Sequence, residues 1–155
     1  MEVNHVPARV YYCAEKTLTP SEIPDFAGKA LEMLCRDAES RDLDVSGPPE
    51  FFYFMCTDDN LIPLHLIVAV PVLEGGSSRG GFFFMESMPF DCVSVLYKGS
   101  MSTIGIAWED LVQQALKMGY LLSNQGREVY REWVSFESED NVTELQMGIA
   151  GRKVG

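Results

Sequence analysis

Positive charge is scarce in this chain: its 155 residues hold 12 Lys and Arg against 23 Asp and Glu, a formal net charge of -11. No stretch gathers the basic residues into a patch, so the surface repels phosphate backbones and direct binding of DNA or RNA is not expected. Histidine is scarcer still, and His5 and His65 form no helical or hairpin metal pair. The four cysteines, Cys13, Cys35, Cys56 and Cys92, lie in separate apolar segments without C-x-x-C spacing. They read as reduced core thiols, and neither a metal nor another cofactor is implied. No apolar run reaches membrane length and no charged-then-apolar leader is present, so no membrane association is expected and the cytoplasm is the expected compartment. The glycine-rich stretch 74–81 lacks the Lys-Ser/Thr of a nucleotide P-loop and opens no amphipathic helix, which leaves it a connection.

What remains is ordinary material for one soluble α+β domain, with 46% hydrophobic residues and near-neutral hydropathy. Arg9 to Cys13 is β-branched or aromatic enough for a strand. Thr19-Pro20-Ser21-Glu22 marks a helix start, and Phe26, Ala27, Ala30, Leu31, Leu34, Cys35 and Ala38 recur at helical spacing, predicting a helix over about 21–40. Gly47-Pro48-Pro49 stops it. Strands are then predicted over 50–57 and 64–73, with a turn at Asp58-Asp59-Asn60 between them.

After the glycines the pattern starts again. Met88-Pro89 answers Val6-Pro7, and a strand over 91–97 answers the one at 9–15. A helix over about 103–118 carries Ile104, Trp108, Leu111, Val112, Ala115 and Leu116 on one face and is closed by Gly119. The strand 126–136 answers 48–56, pairing Glu128 with Glu50 and Tyr130 with Phe52. An acidic turn over 137–141 and a strand over 143–150 follow, and 151–155 should fray. Two strand-helix-strand-strand modules, about 4–73 and 85–150 around the connection 74–84, predict one mainly antiparallel sheet with two helices on one face and a central groove.

Within the second module, Gly126 to Trp133 concentrates chemistry. In a strand, Glu128 and Tyr130 share a face, with Glu132 next along the row, while Val129, Arg131 and Trp133 take the other. A carboxylate beside an aromatic ring suits a flat organic cation, because charge attraction and ring-face attraction act together. The same residues also fit a half-exposed strand with solvated charges. Trp108, by its spacing with Leu111, Val112 and Ala115, reads as core, and Trp133 as packing against a helix.

Taken together, Val70-Pro71-Val72, Met88-Pro89, Tyr97-Lys98-Gly99, Ala107-Trp108 through Leu111, Arg127-Glu128-Val129-Tyr130 and Thr143-Glu144-Leu145 give the chain a resemblance to the GyrI-like small-molecule-binding domains. Such domains also serve as effector-binding parts of multidrug-sensing transcription regulators. The resemblance covers about residues 4–150. It implies a duplicated module binding hydrophobic, often cationic aromatic compounds in the groove, with the family's buried Glu at Glu128 and its Tyr at Tyr130. Trp108 and Tyr97 fall at aromatic groove walls. In a departure from the family, the first module presents Phe52 and Phe54 opposite Tyr130 and Glu132, which predicts a groove more apolar on one side. Gly148 stands where the second module usually carries Pro, which predicts a less rigid strand end.

A stand-alone cytosolic binder of small aromatic or cationic molecules is therefore expected; with no helix-turn-helix ahead of the first strand, a complete regulator is not. Two alternatives stay open. One is a hydrolase opening cyclopropane-bearing toxins with Glu128 and Tyr130; the other is a protein-interaction role such as inhibition of a topoisomerase. A haem site would need an axial ligand, which neither His5 at a frayed start nor His65 in a buried-looking strand supplies well.

Overall fold

The computed structural model describes residues 1–55, 64–78 and 80–152. In chain order the elements are β1 (Glu2–Val6), β2 (Val10–Leu18), α1 (Ile23–Ser40), β3 (Glu50–Phe54), β4 (Leu64–Val72), β5 (Phe83–Glu86), β6 (Phe90–Lys98), α2 (Ile104–Lys117), β7 (Tyr120–Glu132) and β8 (Val142–Arg152). Short 3-10 turns, Pro20–Glu22 and Met101–Thr103, lead into the two helices. The fold class is α+β, and strand-helix-strand-strand occurs twice, as β2-α1-β3-β4 and β6-α2-β7-β8. The predicted turn at Asp58-Asp59-Asn60 and the thiol of Cys56 lie outside the described residues. No described helix is long and apolar enough to cross a membrane.

The first compact unit, Pro7–Met88, is an antiparallel sheet in the order β3-β4-β2-β5 with α1 packed on one side. Glu22 accepts from the backbone N–H of Thr19 at 2.9 Å and from its hydroxyl at 2.8 Å, which fixes the chain's path into α1. The helix buries Ala27, Ala30, Leu34 and Ala38. It ends where Asp42 takes a left-handed φ of 53° and the N–H of Leu43 bonds back to the Ala38 carbonyl at 3.0 Å, a closure that satisfies a carbonyl the helix itself leaves open. The Tyr12 hydroxyl donates to Asp37 of α1, so α1 covers the sheet face that carries Tyr12. Tyr11, Cys13, Phe52, Ile67 and Ala69 cluster on the other face.

Residues 1–6 belong with 89–155 in the second unit. There β1 pairs with β6, Asn4 opposite Cys92, giving the order β7-β8-β6-β1. The first strand of the chain therefore joins the strands of the second unit, and β5, which straddles the expected boundary between the connection 74–84 and the second module, joins those of the first. Helix α2 lays Leu111 and Ala115 on Val93, Leu145 and Met147, and Gly119, with φ 85°, closes it as expected. Strand β8 runs through Gly151 to Arg152, past the point where fraying was expected. The Arg152 guanidinium bonds the Met118 carbonyl at 3.1 and 3.2 Å and lies 5.1 Å from the Tyr120 ring centre.

Of the described thiols, Cys13 and Cys92 are buried and Cys35 is exposed on α1, all three unpaired. Burial, helped by Glu144 and Asp91, pushes the Cys92 thiol up to about 12, and burial raises Cys13 as well, with Glu15 and Glu50 adding to it. Because the thiolate is the reactive form, native protein at neutral pH should alkylate at Cys35 while Cys13 and Cys92 stay unmodified until denaturant is added. Peptide mapping after iodoacetamide checks this; modification of Cys92 in folded protein would contradict it.

Candidate functional site

Strand β7 directs Gly126, Glu128 and Tyr130 to one face by simple alternation. Opposite Glu128 stands Leu145 of β8, which belongs to the cluster under α2, so this row points at the helix. Gly126 matters here because it has no side chain: the Trp108 ring lies so close that a Cβ at Gly126 would sit 3.2 Å from its Cη2. The indole thus lies over the start of the row, and its Nε1–H donates to Glu128 Oε2 at 2.7 Å. The Tyr130 hydroxyl donates to Glu128 Oε1 at 2.5 Å. Glu128 is 4% exposed and Tyr130 7%. Each carboxylate oxygen is therefore held by an aromatic donor in a water-poor setting, where hydrogen bonds to a charged group are strong.

Both donors are conjugated to their rings. An N–H or O–H donating to a carboxylate shifts electron density into the indole or phenol, deepening the negative potential of the ring faces that attract cations. Trp108 packs against the core cluster under α2, as its spacing predicts, and its N–H also holds the carboxylate.

Tyr97 of β6 lies in the row of Tyr130, both opposite Thr143. Its hydroxyl is engaged elsewhere, donating to the Ser100 carbonyl at 2.8 Å and meeting Thr103 Oγ1 at 2.5 Å. It fixes the turn leading into α2 and does not contact Glu128 through its hydroxyl. Phe52 and Phe54 lie in the first unit, Phe52 edge-on to Tyr11 at 5.1 Å and Phe54 tilted on His65 at 6.2 Å.

Two expectations are corrected. The pairing of Glu128 with Glu50 and of Tyr130 with Phe52 places them differently about their helices: Glu128 faces α2, whereas Glu50, opposite Ala69 and Cys13 through the strand register, lies on the face away from α1. Phe51 and Tyr53, on the Ala14 and Tyr12 side, stand to α1 as Glu128 and Tyr130 stand to α2. A one-residue slip inverts a strand's faces, and Glu50-Phe-Phe-Tyr-Phe has too little alternation to show it. Trp133, expected to pack against a helix, instead has its ring against Tyr130. The β7–β8 register shifts between Tyr130 and Glu132, the strand ends at Glu132, and Trp133 is 52% exposed with its ring edge-on to Tyr130 at 5.8 Å.

Glu50 itself was missed as a site residue. It is buried and accepts from the Tyr11 hydroxyl at 3.2 Å, so the first unit also holds a carboxylate against a phenol. A lone Glu opening an aromatic strand was the available signal. His65 is half-buried: its Nε2 meets Glu15 Oε2 at 2.8 Å and its Nδ1 lies 3.4 Å from Thr17 Oγ1. Among the described residues no three His, Cys, Asp or Glu side chains gather in a way that would hold a metal.

Tandem strand-helix-strand-strand units, whose strands belong to one eight-stranded antiparallel sheet with a single helix from each unit, define the GyrI-like fold. The chain is similar to the solved C-terminal domain of EcmrR, with 19% identity and a TM-score of 0.80 over 97% of this chain and 96% of that one. It also matches EcmrR in its DNA complex, at 20% identity and a TM-score of 0.81 over 99% of this chain, but spans only 57% of that longer protein. SAV2435, solved bound to tetraphenylphosphonium, aligns over 97% of this chain and 93% of its own at 10% identity and a TM-score of 0.63. A hydrolase from Listeria innocua aligns over 96% and 91% at 12% identity and a TM-score of 0.69. These likenesses are of fold. No family profile and no curated protein matches the sequence.

Proposed function

We propose that this chain binds lipophilic aromatic cations at the cluster of Trp108, Glu128 and Tyr130, as a small-molecule-binding domain. The observation that carries the reading is the buried carboxylate whose two oxygens are each held by an aromatic donor. The donors orient the carboxylate without contributing a formal charge, and the carboxylate enriches their rings. A cation seated on those rings gains from the ring faces and from the negative charge behind them, at short range and low effective dielectric. That SAV2435, a chain of the same fold, was solved with tetraphenylphosphonium supports the ligand class. The net charge of -11 would concentrate such cations near the surface.

Catalysis on the same residues is less well supported. A water-activating carboxylate must be reached by water, and Glu128 is 4% exposed with an aromatic donor on each oxygen.

Calorimetric titration with tetraphenylphosphonium and with triphenylphosphine oxide, a neutral molecule of related shape, tests the proposal. The cation should bind more tightly than the neutral compound, because only the cation gains from the carboxylate behind the rings. Equal affinity for both would overturn the reading.

A further inference from the structure

Next to this cluster the second unit holds large apolar side chains out in water on a backbone that is tied down. Trp133, Val134 and Phe136 are 52%, 64% and 46% exposed. Their segment is nonetheless fastened at several points. The N–H of Val134 donates to Asn141 Oδ1 at 2.8 Å, and Asn141 Nδ2 donates to the Ser135 carbonyl at 2.6 Å. The Phe136 carbonyl accepts from the N–H of Met101 at 2.9 Å and from the Ser100 hydroxyl at 3.3 Å. Asn141 is wholly buried, so releasing the segment would strand its amide without partners. Exposed apolar surface on a fixed backbone is a feature of recognition sites.

Trp133 is also connected to the carboxylate. Its ring meets Tyr130 at a centroid distance of 5.8 Å and an interplanar angle of 76°, and Tyr130 donates to Glu128. The sequence Glu128, Tyr130, Trp133 thus runs from a buried charge through a polarised ring to a ring open to solvent. We propose that Trp133 is the solvent-side wall of the ligand site: it stacks on an aromatic arm of the cation while the charge lies against Tyr130. This rests on the function proposed above and narrows the ligand class. Cations bearing aryl groups would use both rings, whereas compact alkylammonium ions, too small to span them, would gain little from Trp133.

The test compares wild type, Trp133→Ala, Trp133→Phe and Glu128→Gln, titrated with tetraphenylphosphonium and with tetramethylammonium. Trp133→Ala should weaken tetraphenylphosphonium binding by about tenfold, and Trp133→Phe by less than about threefold, since an aromatic face remains. Tetramethylammonium should bind wild type and Trp133→Ala alike. Trp133→Phe should also lose part of the tryptophan quenching that tetraphenylphosphonium produces in wild type, a readout that does not depend on Trp133→Ala folding well. If both Trp133 variants bind and quench as wild type does while Glu128→Gln loses binding, the wall assignment is wrong and the site at Glu128 stands. If Glu128→Gln also binds as wild type does, or wild type binds no tetraphenylphosphonium, both proposals fall.

Discussion

Glu128→Gln is expected to reduce affinity for tetraphenylphosphonium by about 1–3 kcal/mol, the usual range for losing a charge-assisted contact. Two effects combine. The charge behind the rings disappears, and the amide offers one acceptor and one donor to a pair of groups, the Trp108 N–H and the Tyr130 O–H, that both donate. One donor then faces an NH2 group. The substitution should therefore lower the melting temperature as well as the affinity, which a neutral replacement on an exposed strand would not do. Triphenylphosphine oxide separates the two effects: a site merely distorted would lose both ligands equally, whereas a site that has lost its charge would lose mainly the cation. Glu128→Asp, shorter but still charged, should retain more preference for the cation than Glu128→Gln does. Equal losses for cation and neutral ligand in Glu128→Gln would assign Glu128 a structural role only.

Gly148→Ala should destabilise the second unit by about 3 kcal/mol or more, at or above the upper end for overpacking a filled interior. A Cβ at Gly148 would sit inside contact distance of the Ser123 hydroxyl, 2.7 Å from the Gln125 carbonyl oxygen and 2.8 Å from the Phe90 ring. Two of these neighbours cannot swing away cheaply: one is backbone, and the Phe90 ring carries the Arg127 guanidinium 4.0 Å from its centre. Absence of a side chain here admits the irregular stretch of β7 between Leu122 and Gly126. The residue expected to loosen a strand end is thus a point of close packing. Urea unfolding of Gly148→Ala against wild type gives the difference, and a loss below about 1 kcal/mol would show that Ser123 and β7 yield easily.

Several features were legible because they depend only on local geometry. Apolar spacing placed both helices, Thr19 with Glu22 and the later Gly119 marked where they start and stop, and Glu128 and Tyr130 had to share a face because they lie two apart on a strand. Scarcity of basic residues fixed the sign of the surface field. Everything that joins distant segments was decided by packing. Trp108 meets Glu128 only because α2 lies across β7, with Gly126 leaving room for the indole. The face of β3 could not be read from five residues that are nearly all aromatic. Strand β1 pairs with β6, far along the chain, and β5 with β2, since edge strands are claimed by whichever sheet leaves hydrogen bonds open. Trp133 left the alternation of β7 at a register shift that no periodicity announces. Local rules set what each segment could be; which carboxylate was buried, and against which rings, followed from how α2 and the strands beneath it filled the interior of their unit.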